Sequence, residues 1–117
     1  MRSSTRYVGA TFSRYPAKAL PFAMTSEKLK MLAGEWYDPA DSELKKERQR
    51  ARSLCRRLNQ DAPDDLNRLV GQLLGGRPER LVITPPFFCD YGYNIEAEED
   101  VYFNANCVLL DVCRIRI

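Results

Sequence analysis

The chain has no histidine among its 117 residues. That absence removes the commonest general base, every Ser-His or Cys-His catalytic pair, and every zinc site that needs an imidazole. No apolar run approaches the ~18 residues required to cross a bilayer, and no apolar core with a small-residue cleavage site marks a signal peptide. The four cysteines, Cys55, Cys89, Cys107 and Cys113, include no Cys-x-x-Cys pair, so a metal site would need all four to converge from distant places. Buried thiols in a reducing compartment are expected instead, Cys107 and Cys113 above all, and the chain is expected to be cytoplasmic with no membrane partner.

What is present fits one small domain. The composition is 44% hydrophobic and 29% charged, as in ordinary globular proteins. The net charge of +2 is unevenly spread: residues 1–23 carry Arg2, Arg6, Arg14 and Lys18 and no acid, which leaves 14 basic and 16 acidic residues in the remainder. A mildly acidic body lacks a nucleic-acid footprint. The leader reads as a disordered extension, with an organellar transit peptide as the alternative.

Three helices are expected over residues 24–80. Thr25 or Ser26 can cap the first, whose Leu29, Leu32, Ala33 and Trp36 fall on one face before Asp38 and Pro39 stop it. The second runs from near Asp41 to about Asn59 with a thin apolar stripe of Leu44, Ala51, Leu54, Cys55 and Leu58. Its other faces are basic, and a solvated surface paired with acidic neighbours is the expectation for Lys45, Lys46, Arg48, Arg50, Arg52, Arg56 and Arg57. The third opens around Asp61 to Pro63, shows Leu66, Leu69, Val70, Leu73 and Leu74, and ends at Gly75 and Gly76.

From Leu81 the pattern turns extended, with Leu81-Val82-Ile83 followed by Pro85-Pro86. A six-residue period then appears in Ile95, Val101, Cys107 and Cys113, and again in Ala97, Phe103, Leu109 and Ile115. That period suits a parallel β-helix, in which each hexapeptide supplies a strand and a turn, although a β-meander also spaces apolar residues by two.

The run Pro85-Pro86-Phe87-Phe88-Cys89-Asp90-Tyr91-Gly92-Tyr93-Asn94-Ile95, with Val101 to Cys113, resembles the maltose and galactoside O-acetyltransferase family, as do the helical segments Ala33-Gly34-Glu35-Trp36-Tyr37-Asp38 and Glu47 to Asn59. The resemblance covers residues 24–117. It implies an α+β fold: a helical subdomain over 24–80, then over 81–117 the first repeats of a left-handed parallel β-helix. It further implies a homotrimer, acetyl-CoA as co-substrate with no tightly bound cofactor, and acetyl transfer to a sugar hydroxyl. The family's general base is a histidine in a later coil. The sequence stops at Ile117 before that region, so this chain by itself is expected not to turn over. A non-catalytic module for self-association or sugar binding is the other reading.

Four acceptor-side residues follow from the resemblance. Asp90 and Asn104 match positions that reach the sugar, with Asp111 and Asp38 as further candidates. Carboxylate and carboxamide groups suit vicinal hydroxyls. Each also has a plainer role: Asn104 and Asn106 as turn residues tolerating positive φ, Asp38 as a helix terminator, Asp111 as a turn carboxylate. One departure stands out. Ile95-Glu96-Ala97-Glu98 lacks the glycine usual in the family's first repeat, which leaves that turn's geometry open.

Overall fold

The computed structural model describes residues 25–60, 64–76 and 79–117. The basic leader and the expected opening of the third helix at 61–63 lie outside them. Three helices come first: α1 (Glu27–Leu32), α2 (Ser42–Leu58) and α3 (Leu66–Leu73). Six short strands follow: β1 (Leu81–Ile83), β2 (Phe87–Cys89), β3 (Ile95–Glu96), β4 (Val101–Phe103), β5 (Cys107–Leu109) and β6 (Ile115–Arg116).

Local chemistry sets the helix ends. Ser26 Oγ accepts from the Leu29 amide and starts α1, while one Asp41 carboxylate oxygen accepts from the amides of Glu43 and Leu44 and starts α2. The apolar stripe of α2 is buried as its spacing demands, with Leu44, Ala51 and Leu58 at 0% exposure. In α1 the spacing misleads. Leu29, Leu32 and Trp36 are exposed, and the helix docks through Met31, which meets Tyr37, Leu44 and Tyr91 in a small cluster of its own. A helix of six residues has under two turns, so one well-placed side chain decides which side is buried.

The strands pair in parallel: β1 with β4, β2 with β5 and β3 with β6, in register Leu81↔Val101, Phe87↔Cys107 and Ile95↔Ile115. Each pairing is offset by 20 residues, so residues 81–100 make one coil and residues 101–117 run beneath it. The three two-stranded sheets are the three faces of a β-helix. First and third residues of a strand turn inward; the middle ones, Val82, Phe88, Tyr102 and Val108, are exposed.

The hexapeptide period is therefore interrupted. Strand starts fall at 81, 87, 95, 101, 107 and 115, with two additional residues between the second and third face of each coil. Those residues form corner loops at 90–94 and 110–114 that stack one above the other. Consequently Cys113 leaves the inward series, and its sulfur faces the Met31 carbonyl at 3.2 Å while Ile115 pairs with Ile95. Cys107 and Cys113 are half-buried; the fully enclosed thiols are Cys55 and Cys89. The turn after Ile95 forms without glycine because the left-handed residue is Asp100, at φ 64°, fixed by an Arg80 ion pair at 2.6 Å.

The helices close the first coil from above. Ala51, Leu54, Cys55, Leu58, Leu69 and Leu73 pack onto Ile83, Phe87, Cys89 and Ile95 in one continuous core. Phe87 and Ile95 are at 0% exposure, whereas their partners one coil below, Cys107 and Ile115, stay half-buried. Asn59, the residue that ends α2, completes the seal. Its amide oxygen accepts from the Phe87 N–H (2.8 Å) and its amide nitrogen donates to the Phe87 carbonyl (3.0 Å), so one side chain stands in for a neighbouring strand.

Candidate functional site

The corner loops carry the chemistry, and Asp111 holds them. It is at 0% exposure; one carboxylate oxygen accepts from the amides of Asp90 (3.1 Å) and Tyr91 (2.8 Å), the other from the amide of Asn94 (3.2 Å). Its own carbonyl accepts from the Asn94 side chain at 2.7 Å. Burial pushes the Asp111 carboxyl up while the backbone amides pull it down. Gly92 lets the loop pass under the cap: at φ 85° it lies so close to α3 that a Cβ would stand 2.2 Å from the Leu73 carbonyl oxygen.

Beside this corner lies a cleft of about 660 Å³, walled by Tyr37, Pro39 and Ala40, by Lys45, Arg48 and Arg52 of α2, and by Asp90, Tyr91, Leu110 and Val112. Lys45, Arg48 and Arg52 are at i, i+3 and i+7, one stripe of the helix. Arg48 ties the walls together, donating to the Pro39 carbonyl (2.6 Å) and to the Tyr91 hydroxyl (2.7 Å). Its guanidinium lies 5.8 Å from the centre of the Tyr91 ring. Opposite stands Asp90, whose carboxyl is raised by burial and drawn down by Arg48 and Arg52. Burial also raises the hydroxyls of Tyr37 and Tyr91. The cleft thus offers one carboxylate acceptor and cationic donors, with the buried rings of Tyr37 and Tyr91 behind its wall.

The four residues named from sequence do not converge. Asp90 lines the cleft. Asp111 sits directly behind it with both oxygens engaged by backbone amides, so its contact with the cleft runs through the loop it holds. Asp38 is exposed beside the wall, its carboxylate accepting from the Ala40 amide at 2.9 Å in a tight turn. Asn104 is exposed on a different corner, between β4 and β5, where its side-chain oxygen accepts from the Ala105 amide (2.8 Å) and the Tyr102 hydroxyl (3.2 Å). Of the two asparagines it is Asn106 that adopts positive φ, at 64°. Sequence reasoning passed over Tyr37, Lys45, Arg48, Arg52 and Tyr91. The available signal was the stripe spacing of the three cations.

Three short helices sealing a parallel coil define a capped hexapeptide-repeat protein. Residues 30–76 match the maltose acetyltransferase hexapeptide capping motif. The chain is 44% identical over 99 residues to Nodulation protein L of Rhizobium leguminosarum bv. viciae, an alignment covering 79% of this chain and 50% of that protein. Among solved structures it is similar to a maltose O-acetyltransferase from Clostridium difficile 630 (TM-score 0.73, 35% identity, 77% of this chain and 50% of that one). It is similar too to a hexapeptide-repeat acetyltransferase of Vibrio cholerae solved with acetyl-CoA (TM-score 0.72, 33% identity, 80% and 51%). The chain belongs to the maltose/galactoside O-acetyltransferase family, within the left-handed β-helix acetyltransferases, and spans about half the length of the relatives it matches.

Proposed function

We infer that these residues form the cap and acceptor-side corner of an acetyl-CoA-dependent sugar O-acetyltransferase. The carrying observation is the cleft itself: a half-buried carboxylate, Asp90, faces Arg48 and Arg52 across an opening with tyrosine walls, on a scaffold shared with a maltose O-acetyltransferase. In this reading Asp90 accepts a hydrogen bond from a sugar hydroxyl, and Arg52 and Lys45 donate to ring or hydroxyl oxygens, with the buried rings of Tyr37 and Tyr91 backing the wall. Asp111 positions Asp90 by holding its amide. Asp38, beside the wall, is an outlying contact of the proposed acceptor side, and Asn104, on a different corner, lies outside this cleft. Acetyl-CoA supplies the activated thioester acyl group, and no residue of this chain is assigned to it. The exposed rows Val82–Tyr102 and Phe88–Val108 support self-association through the outer faces of the coil, as the proposed homotrimer requires.

Saturation-transfer NMR of the 117-residue protein with maltose, a galactoside and glucose tests the acceptor side. Sugar signals should saturate with the parent and lose that saturation with Asp90→Ala. No saturation by any sugar, or saturation indifferent to Asp90, refutes the assignment. Incubation with acetyl-CoA and the same sugars should release no CoA, since the chain has no histidine to take the hydroxyl proton; robust turnover would overturn that part.

A further inference from the structure

Two nucleophilic groups are left unused by the cleft. The sulfurs of Cys55 and Cys89 lie 3.8 Å apart, both in the sealed core and 2% and 7% exposed. Cys55 stands on α2 three residues after Arg52; Cys89 ends β2 and immediately precedes Asp90. The pair therefore joins the same two elements that carry the cations and the carboxylate of the cleft. Cys107 and Cys113 lie elsewhere, Cys113 against the Met31 carbonyl. The hydrogen bond between the two thiols lowers Cys55 and raises Cys89, so Cys55 is the one that gives up its proton first.

We propose that Cys55 and Cys89 are an oxidation site: a peroxide that enters when the cap opens locally closes them into an intramolecular disulfide that locks the helical cap onto the first coil beside Asp90. The Cys55 thiolate attacks one peroxide oxygen; an S–O bond forms, the O–O bond breaks, and the second oxygen leaves as water after taking a proton. The Cys89 thiol then attacks the Cys55 sulfur; the S–S bond forms, the S–O bond breaks, and a second water leaves with the Cys89 proton. Two thiols give up two electrons and the peroxide accepts them. The sulfurs must close from 3.8 Å to about 2.05 Å. The bond closes a loop across 34 positions of sequence and removes much of the freedom of the unfolded chain. None of this depends on what the cleft binds.

The test treats the purified protein with hydrogen peroxide and reads intact mass, non-reducing peptide maps and thermal melting, in the parent and in a Cys107→Ser/Cys113→Ser variant. Expected are the loss of two hydrogens, a linked peptide joining Cys55 to Cys89, and a melting temperature raised by more than about 5 °C, all reversed by dithiothreitol. The linked peptide should form in both proteins and be absent from Cys55→Ala. Oxygen addition without linkage, crosslinks through Cys107 or Cys113 in place of the 55–89 bond, or a linkage that leaves melting unchanged each overturns the proposal.

Discussion

Replacing Asp111 separates its two possible roles, sugar contact and backbone staple. Its carboxylate is fully buried and receives three backbone amides, those of Asp90, Tyr91 and Asn94. Asp111→Ala strands the Tyr91 and Asn94 donors in a site too enclosed for ready hydration and leaves the Asp90 amide only the Leu109 carbonyl at 3.3 Å. An unsatisfied buried donor costs roughly 1–3 kcal/mol. Partial relaxation of the loop brings the expected total to about 3–5 kcal/mol, a large part of the ~5–15 kcal/mol that holds a typical domain folded. Asp111→Asn should cost less, about 1–3 kcal/mol, because the amide oxygen can keep the bonds to Asp90 and Tyr91 and only the Asn94 amide meets an opposing N–H. Urea denaturation followed by circular dichroism gives both numbers. An alanine variant within about 1 kcal/mol of the parent, or an asparagine variant as damaged as the alanine one, would refute the staple. A variant of normal stability with lost sugar binding would make Asp111 an acceptor contact instead.

The same reasoning reaches other positions. Gly92→Ala should destabilise by about 2–4 kcal/mol, since its φ of 85° disfavours a side chain and the new Cβ would meet the Leu73 carbonyl at 2.2 Å; an unchanged melting temperature would show that the cap does not press on this loop. Asn59→Ala should cost about 2–4 kcal/mol by leaving the Phe87 N–H and carbonyl unpaired, and amide exchange at Phe87 should accelerate; an exchange rate like the parent's refutes the strand-substitute role. Asp90 titrates with a raised folded value, so the folded state holds its proton more tightly than the unfolded chain does. Its contribution therefore increases stability as pH falls through the folded value, and is complete below the unfolded value near 3.9. Asp90→Asn should flatten the pH dependence of stability just above that value, and an unaltered slope across pH 4 to 6 sinks the assignment.

Where side-chain chemistry acts locally, the sequence was a sufficient guide. Asp41 and Asn59, read as the ends of the second helix, are the residues flanking α2, and Leu81-Val82-Ile83 is β1. The coil period was legible in part, because Val101 to Cys107 and Phe103 to Leu109 step by six across a plain corner. The corner at 110–114 broke the count, since Cys113 is apolar enough to pass for an inward residue while Ile115 fills that place. What distinguishes the two registers is Asp111: a buried carboxylate has to be surrounded by donors, and only an enlarged loop directly above can supply three amides. The site was hidden for a related reason. A basic stripe on a helix reads as solvated surface until the element facing it is known, and the one facing Lys45, Arg48 and Arg52 lies some 40 residues downstream, in a loop whose position depends on the two residues beyond the hexapeptide count. Asp90 drew notice through family likeness, but its environment follows from Asp111 below and Arg48 across the cleft. The corner insertion and the charged cleft are thus one feature: without the enlarged loop, Asp90 and Tyr91 would continue the coil and Arg48, now half-buried between the walls, would face water as Lys45 and Arg52 do.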